Sequence, residues 1–128
     1  MNYYGEFITA PGLVATGDLS SSQYKIVKFG STAGTVKIAD TAATDAILGV
    51  LQNDPADGEA AEVACQGVAK CLAEASVTVG SSVTVSSTGR AKSTDTDGNR
   101  IIGIALKASV SAGDVIPVLI GIHDRYKA

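Results

Sequence analysis

The residues of this chain that could do chemistry are few and stand apart. The only histidine, His123, is followed by Asp124 and Arg125. A His–Asp pair can relay protons, but neighbours on an extended strand point to opposite faces, so these two would not meet. A surface histidine near the end of the chain is the expectation. Cys65 and Cys71 stand six apart, the wrong spacing for a Cys-x-x-Cys redox pair. With one distant histidine they supply too few ligands for zinc. They read as two small apolar residues in a reducing compartment, with a disulfide across a hairpin as the alternative. No serine sits in a Gly-x-Ser-x-Gly elbow, and no phosphate-cradling Gly-x-Gly-x-x-Gly loop occurs.

Carboxylates cluster twice, at Asp54-Pro55-Ala56-Asp57-Gly58-Glu59 and at Asp95-Thr96-Asp97-Gly98-Asn99. The second resembles the opening of a calcium loop but lacks the distal bidentate glutamate. Asp, Gly and Asn together are turn formers, so a hairpin tip is expected there and a tight loop at the first cluster. No acid, base and nucleophile converge in the sequence, so no catalytic, cofactor-binding or metal residue is assigned and an enzyme is not expected.

The elements that carry these residues are strands. Hydrophobic residues make up 45% of the 128, enough to build one core without metals or disulfides. Aromatic residues make up 5%, and Val, Ile, Leu and Ala suit flat sheets better than deep pockets. Net charge is −3 and the ten Lys and Arg are scattered, which argues against a nucleic-acid partner. No apolar run approaches the ~18 residues of a membrane span, and the opening Met1-Asn2-Tyr3-Tyr4-Gly5-Glu6 lacks the pattern of a signal peptide. Cytoplasmic synthesis without a membrane partner is the expectation.

Apolar–polar alternation marks strands at residues 24–29, 34–38, 75–79 and 82–86, with Gly80-Ser81 as a tight hairpin between the last two. Residues 46–51 and 101–106 are apolar almost throughout and read as strands covered on both faces, each with a glycine at a bulge or close approach. Residues 68–73 are read as strand. Residues 41–45 could form a single helical turn ahead of the strand containing Gly49.

A repeat underlies this pattern. Gly34-Thr35-Val36-Lys37 matches Gly89-Arg90-Ala91-Lys92, and Ile47-Leu48-Gly49-Val50 matches Ile101-Ile102-Gly103-Ile104. The turn Ala56-Asp57-Gly58-Glu59 matches Ser111-Ala112-Gly113-Asp114, and Gly67 matches Gly121. Gly34 to Gly89, Gly49 to Gly103, Gly58 to Gly113 and Gly67 to Gly121 are 55, 54, 55 and 54 positions. Two similar β units (residues 34–67 and 89–121) are therefore expected within one domain, residues 23–128, as a small sandwich or barrel. Residues 1–22 lie outside the repeat and are expected to form an extended N-terminal arm, with a segment folded back on the β core as the alternative. Tyr3, Tyr4, Phe7, Ile8 and Leu13 are its candidate contacts to a neighbouring subunit or partner, since large side chains with few rotors make good anchors.

Over residues 24–122 the order and spacing of these pieces resemble the capsid decoration, or cement, proteins of tailed bacteriophages, particularly those with a tulip-like β domain. The carriers are Ile47-Leu48-Gly49-Val50, Gly67-Val68-Ala69-Lys70, Val79-Gly80-Ser81-Ser82-Val83, Gly89-Arg90-Ala91, Ile101–Leu106 and Ala112–Val118. The resemblance implies an all-β, non-enzymatic protein on the virion exterior. It further implies a homotrimer that clamps neighbouring subunits of the major capsid protein, with no cofactor. It supplies no contact motif. A carrier domain of the biotinyl or lipoyl type is the alternative of another class, but the candidate tips, Gly80-Ser81 and Asp97-Gly98-Asn99, hold no lysine to modify. A fibre or surface structural subunit is the other alternative.

Overall fold

In the computed structural model, which describes residues 6–124, the alternating runs become strands. They are β1 (Glu6–Thr9), β2 (Val14–Ala15), β3 (Ile26–Phe29), β4 (Thr35–Ile38) and β5 (Ile47–Leu51). There follow β6 (Val63–Leu72), β7 (Ser82–Val85), β8 (Ala91–Ser93), β9 (Arg100–Ala105) and β10 (Val115–Asp124). The all-β class holds: no helix occurs among the described residues. The strands form one open sheet in the order β2-β4-β3-β5-β6-β10-β9-β7-β8, with β1 added on β6. Its two ends are very short, two residues in β2 and three in β8.

Four strands in the order β4-β3-β5-β6 meet four in the order β10-β9-β7-β8. Each set runs second, first, third, fourth from its rim inward, and the two fourth strands pair antiparallel at the centre, from Val115 opposite Leu72 to Ile120 opposite Gly67. Gly49 and Gly103 have the same task in their sets. A Cβ on Gly49 would drive into the Ala64 carbonyl oxygen, and one on Gly103 into that of Leu119. The turns match too: the Glu59 and Asp114 amides donate to the Ala56 and Ser111 carbonyls.

β6 organises the molecule. Ala64 pairs with both Val50 of β5 and Thr9 of β1, and Val68 with both Glu6 of β1 and Leu119 of β10. Since a strand has two edges, β5 and β10 follow one another along one edge and β1 occupies the other. The sheet therefore curls, and its far parts touch: the Ile26 amide donates to the Gly89 carbonyl at 2.7 Å, and that of Arg100 to Ala42 at 2.8 Å. Both sets fill one core, in which Ile26, Val50, Ala69, Val83, Ile102 and Val118 are buried together. A smaller core of Leu19, Val27, Val36, Leu51 and Val63 lies over the opposite face of the first set. Burial on both faces explains why β5 is apolar throughout.

Two sequence expectations change. Residues 75–79 form no strand opposite β7; Val77 makes an isolated bridge to Ser109. Gly80-Ser81 is a turn, but β7 takes β8 and β9 as its neighbours, so the segment crosses between sets instead of closing a hairpin. The Asp97-Gly98-Asn99 turn likewise joins β8 to β9, which flank β7 and do not pair with each other. Local alternation cannot tell a hairpin from a crossover, because both use the same turn residues. Cys65 and Cys71 are free and lie on one strand, β6, roughly 20 Å apart at the rise of an extended chain, beyond the reach of a mutual disulfide.

Candidate interaction surface

The titratable side chains serve the turns. Asp45, buried, accepts the amides of Asp40 and Thr41 at 2.8 Å each and the Lys28 ammonium at 2.9 Å. This pins the single turn at residues 41–45, closed by Asp45 N–H to Thr41 carbonyl, onto β3. Burial disfavours the Asp45 carboxylate, but the Asp40 amide, Lys28 and the Thr41 amide outweigh it and hold its pKa below the ordinary value. Its bond to Asp45 in turn raises the Lys28 pKa. Asp114 accepts the Val110 amide at 2.8 Å and that of Ser111 at 3.1 Å, which lower its pKa. Asp57 accepts from the Gly17 amide and Glu59 from that of Ala56. Glu74 accepts from the hydroxyls of Ser86 and Thr88, which lower its pKa.

The chemically distinctive residues stay apart. Burial pushes the Cys71 thiol up to about 12, which leaves it inert at neutral pH. Cys65 is half-buried, its thiol directed at the Ile8 carbonyl. His123 is exposed, and its Nδ1 lies 2.7 Å from the Gly121 carbonyl oxygen. Among the described residues no three metal-ligating side chains gather, and no helix is long and apolar enough to cross a membrane.

Exposed apolar groups are the more informative feature. On the sheet face opposite the main core, Val68, Leu119 and Ile104 stand in one row across β6, β10 and β9. Leu119 is 44% and Ile104 41% exposed. Ile8, 61% exposed, lies beside the Val68 end of this row through its pairing with Gln66, Glu6 pairs with Val68 itself, and the Leu72–Val115 pair lies further along β6 and β10, past Lys70 and Pro117. Val110, 84% exposed, is held out on the loop that Asp114 caps. Of residues 101–106, expected to be covered on both faces, Ile101, Ile102, Gly103 and Ala105 are buried and Ile104 alone is exposed, a position that composition does not mark.

Of the five candidate contacts, Tyr3 and Tyr4 lie outside the described residues. Phe7 packs on the main core and Leu13 on the smaller one, while Ile8 faces outward. The described part of the N-terminal segment lies on the sheet as two short strands with turns between and after them, β1 against β6 and β2 parallel to β4, and buries Ala15 and Leu19.

Residues 21–120, which run from just before β3 into β10, match the family model described as phage cement protein. The chain belongs to the phage cement protein family. No curated protein matches this cement protein in sequence. Among solved structures it is similar to the head fiber gp8.5 N base of bacteriophage phi29, with a TM-score of 0.68 and 15% identity over 91% of this chain and 95% of that one. That likeness is one of fold. Membership makes the cement protein a phage structural protein, as its sequence cadence implied. β1 and β2 precede the matched stretch, so the segment bearing Tyr3, Tyr4, Phe7, Ile8 and Leu13 has no counterpart in the family model.

Proposed function

We propose that this cement protein attaches to the outer surface of the assembled phage capsid and stabilises its lattice, as a homotrimer bridging neighbouring subunits of the major capsid protein. The family match over residues 21–120 carries the reading. The side-chain chemistry fits it: the carboxylates of Asp45 and Asp114 cap turns and the Cys71 thiol is buried and inert, so the molecule offers surface and rigidity in place of a reactive centre. A protein that binds the assembled lattice and not free subunits stabilises assembly by mass action. A trimer adds weak contacts through effective concentration. In this reading the chain is a duplicated β unit made in the host cytoplasm. Residues 1–5 with Tyr3 and Tyr4, together with Ile8, contribute contacts to a neighbour.

Co-sedimentation with purified heads and with free capsid protein tests this. Binding to heads alone is the expected result. Equal binding to both, or to neither, overturns the lattice claim. Removing residues 1–5 spares β1 and its pairing to β6 and should weaken head binding at unchanged melting temperature; unchanged affinity removes the segment from the contact.

A further inference from the structure

We propose that Tyr24 is a contact residue of the cement protein, its ring fixed by Lys70 to meet an acceptor-bearing surface of the capsid. The inference rests on the capsid reading above and assigns it a side chain within the stretch that the family model matches.

The two sets of strands open on the same turn. Ahead of β3, the Lys25 amide donates to the Ser22 carbonyl, the Tyr24 amide to that of Leu51 and the Leu51 amide to that of Lys25, at 3.1, 2.7 and 2.8 Å. Ahead of β7, Ser81 donates to Thr78, Gly80 to Ala105 and Ala105 to Ser81, at 3.1, 2.8 and 3.1 Å. Tyr24 and Gly80 therefore hold one position, the third of a four-residue turn. Both are left-handed there, with φ of 71° and 85°. This position favours glycine, because a Cβ is strained at positive φ. Among the described residues, Tyr24 alone has a positive φ without being glycine.

The turn explains Gly80 and leaves Tyr24 unexplained. A bulky side chain persists in this conformation where the side chain itself is required. The two cores do not require it, for the ring belongs to neither. Tyr24 is half-buried, with the Lys70 ammonium 5.6 Å from its ring centre. Attraction between that cation and the π face fixes the ring. The hydroxyl has no hydrogen-bond partner among the described residues. A fixed ring with a free hydroxyl makes a good anchor on another protein, since it gives large contact area with few rotors and a polar end. The hydroxyl and the ammonium both donate, so the matching surface supplies carboxylates or carbonyls. A second copy meeting this site across a symmetry axis would set Lys70 against Lys70, a repulsion that a different protein avoids.

The experiment compares the full chain with Tyr24→Gly and with Tyr24→Asn, which also tolerates positive φ. It reads melting temperature, light scattering behind size exclusion at micromolar concentration, and co-sedimentation with purified heads. Both variants are expected to melt no lower than wild type, keep its oligomeric state and bind heads about tenfold more weakly or worse. Gly80→Ala, with open space at its Cβ position, is expected to melt lower than wild type because φ alone opposes it. An unchanged melting temperature there overturns the strain from which the assignment starts. A lower melting temperature in either Tyr24 variant overturns the assignment whatever the affinity, since the ring then serves the fold. Unchanged head affinity overturns it as well and leaves the capsid reading standing. An altered oligomeric state overturns it in favour of a contact between copies. Wild type that fails to bind heads overturns the capsid reading itself and the assignment with it.

Discussion

At the scale of single residues, Asp45 shows how a carboxylate in this chain stabilises the fold. It satisfies two amides and one ammonium in a largely buried site, and removing it leaves both amides without this acceptor and Lys28 with only Asp40, at 3.3 Å. Asp45→Ala should cost about 2–4 kcal/mol, read as a lower urea midpoint. Because its folded pKa is lowered, the stabilisation is complete above the unfolded value near 3.9 and is lost as pH falls through the folded value. Wild type should therefore lose stability below about pH 4 more steeply than Asp45→Asn. Cys71 gives a second test at this scale. With its thiol raised to about 12 and fully buried, it should resist iodoacetamide at pH 8 in the native state and react on unfolding. Mass spectrometry of the alkylated protein reads this directly. Asp45 itself was not singled out in the sequence. Its role depends on Lys28, seventeen positions earlier on β3, and no local motif marks such a pair.

At the scale of elements, the glycines separate constraint from tolerance. Gly49→Ala and Gly103→Ala both force a methyl into a partner strand's carbonyl, where only backbone movement gives relief. Each should cost about 3 kcal/mol or more in chemical denaturation. Gly121→Ala, with open space at its Cβ position, should change stability by less than about 0.5 kcal/mol. These mid-strand glycines were legible beforehand, since a glycine within an apolar run signals close backbone approach. β3, β4, β5, β7 and β9 were legible for a related reason: side-chain alternation and β-branched composition are local properties. The partner of each strand was not. Gly80-Ser81 has the chemistry of a hairpin, yet β7 chooses β8 and β9, a preference set by which faces can be buried together across the whole sheet.

At the scale of the molecule, the two sets of strands share one core. Ala69 and Cys71 from the first are buried with Val83, Ile102 and Val118 from the second. Neither set can bury its apolar face alone, despite their matched strand order. A fragment of residues 1–73 should therefore stay unfolded, with collapsed amide dispersion in NMR spectra, and fold when residues 74–128 are supplied. A folded, monomeric fragment would show that the sets are independent. The exposed row on β6, β10 and β9 was legible only as hydrophobic sequence, because which of two faces stays bare is decided by how the chain curls.

The shortness of the sheet's rims has its own result. Strand-by-strand polymerisation begins at a long, flat margin with unpaired amides and carbonyls. Here one margin offers two residues, another offers three with Lys92 in the middle, and β1, which pairs only with β6, offers four. Such margins give incoming chains almost no template, so concentrated stocks should remain free of thioflavin-positive fibrils even where the sheet's broad side is sticky.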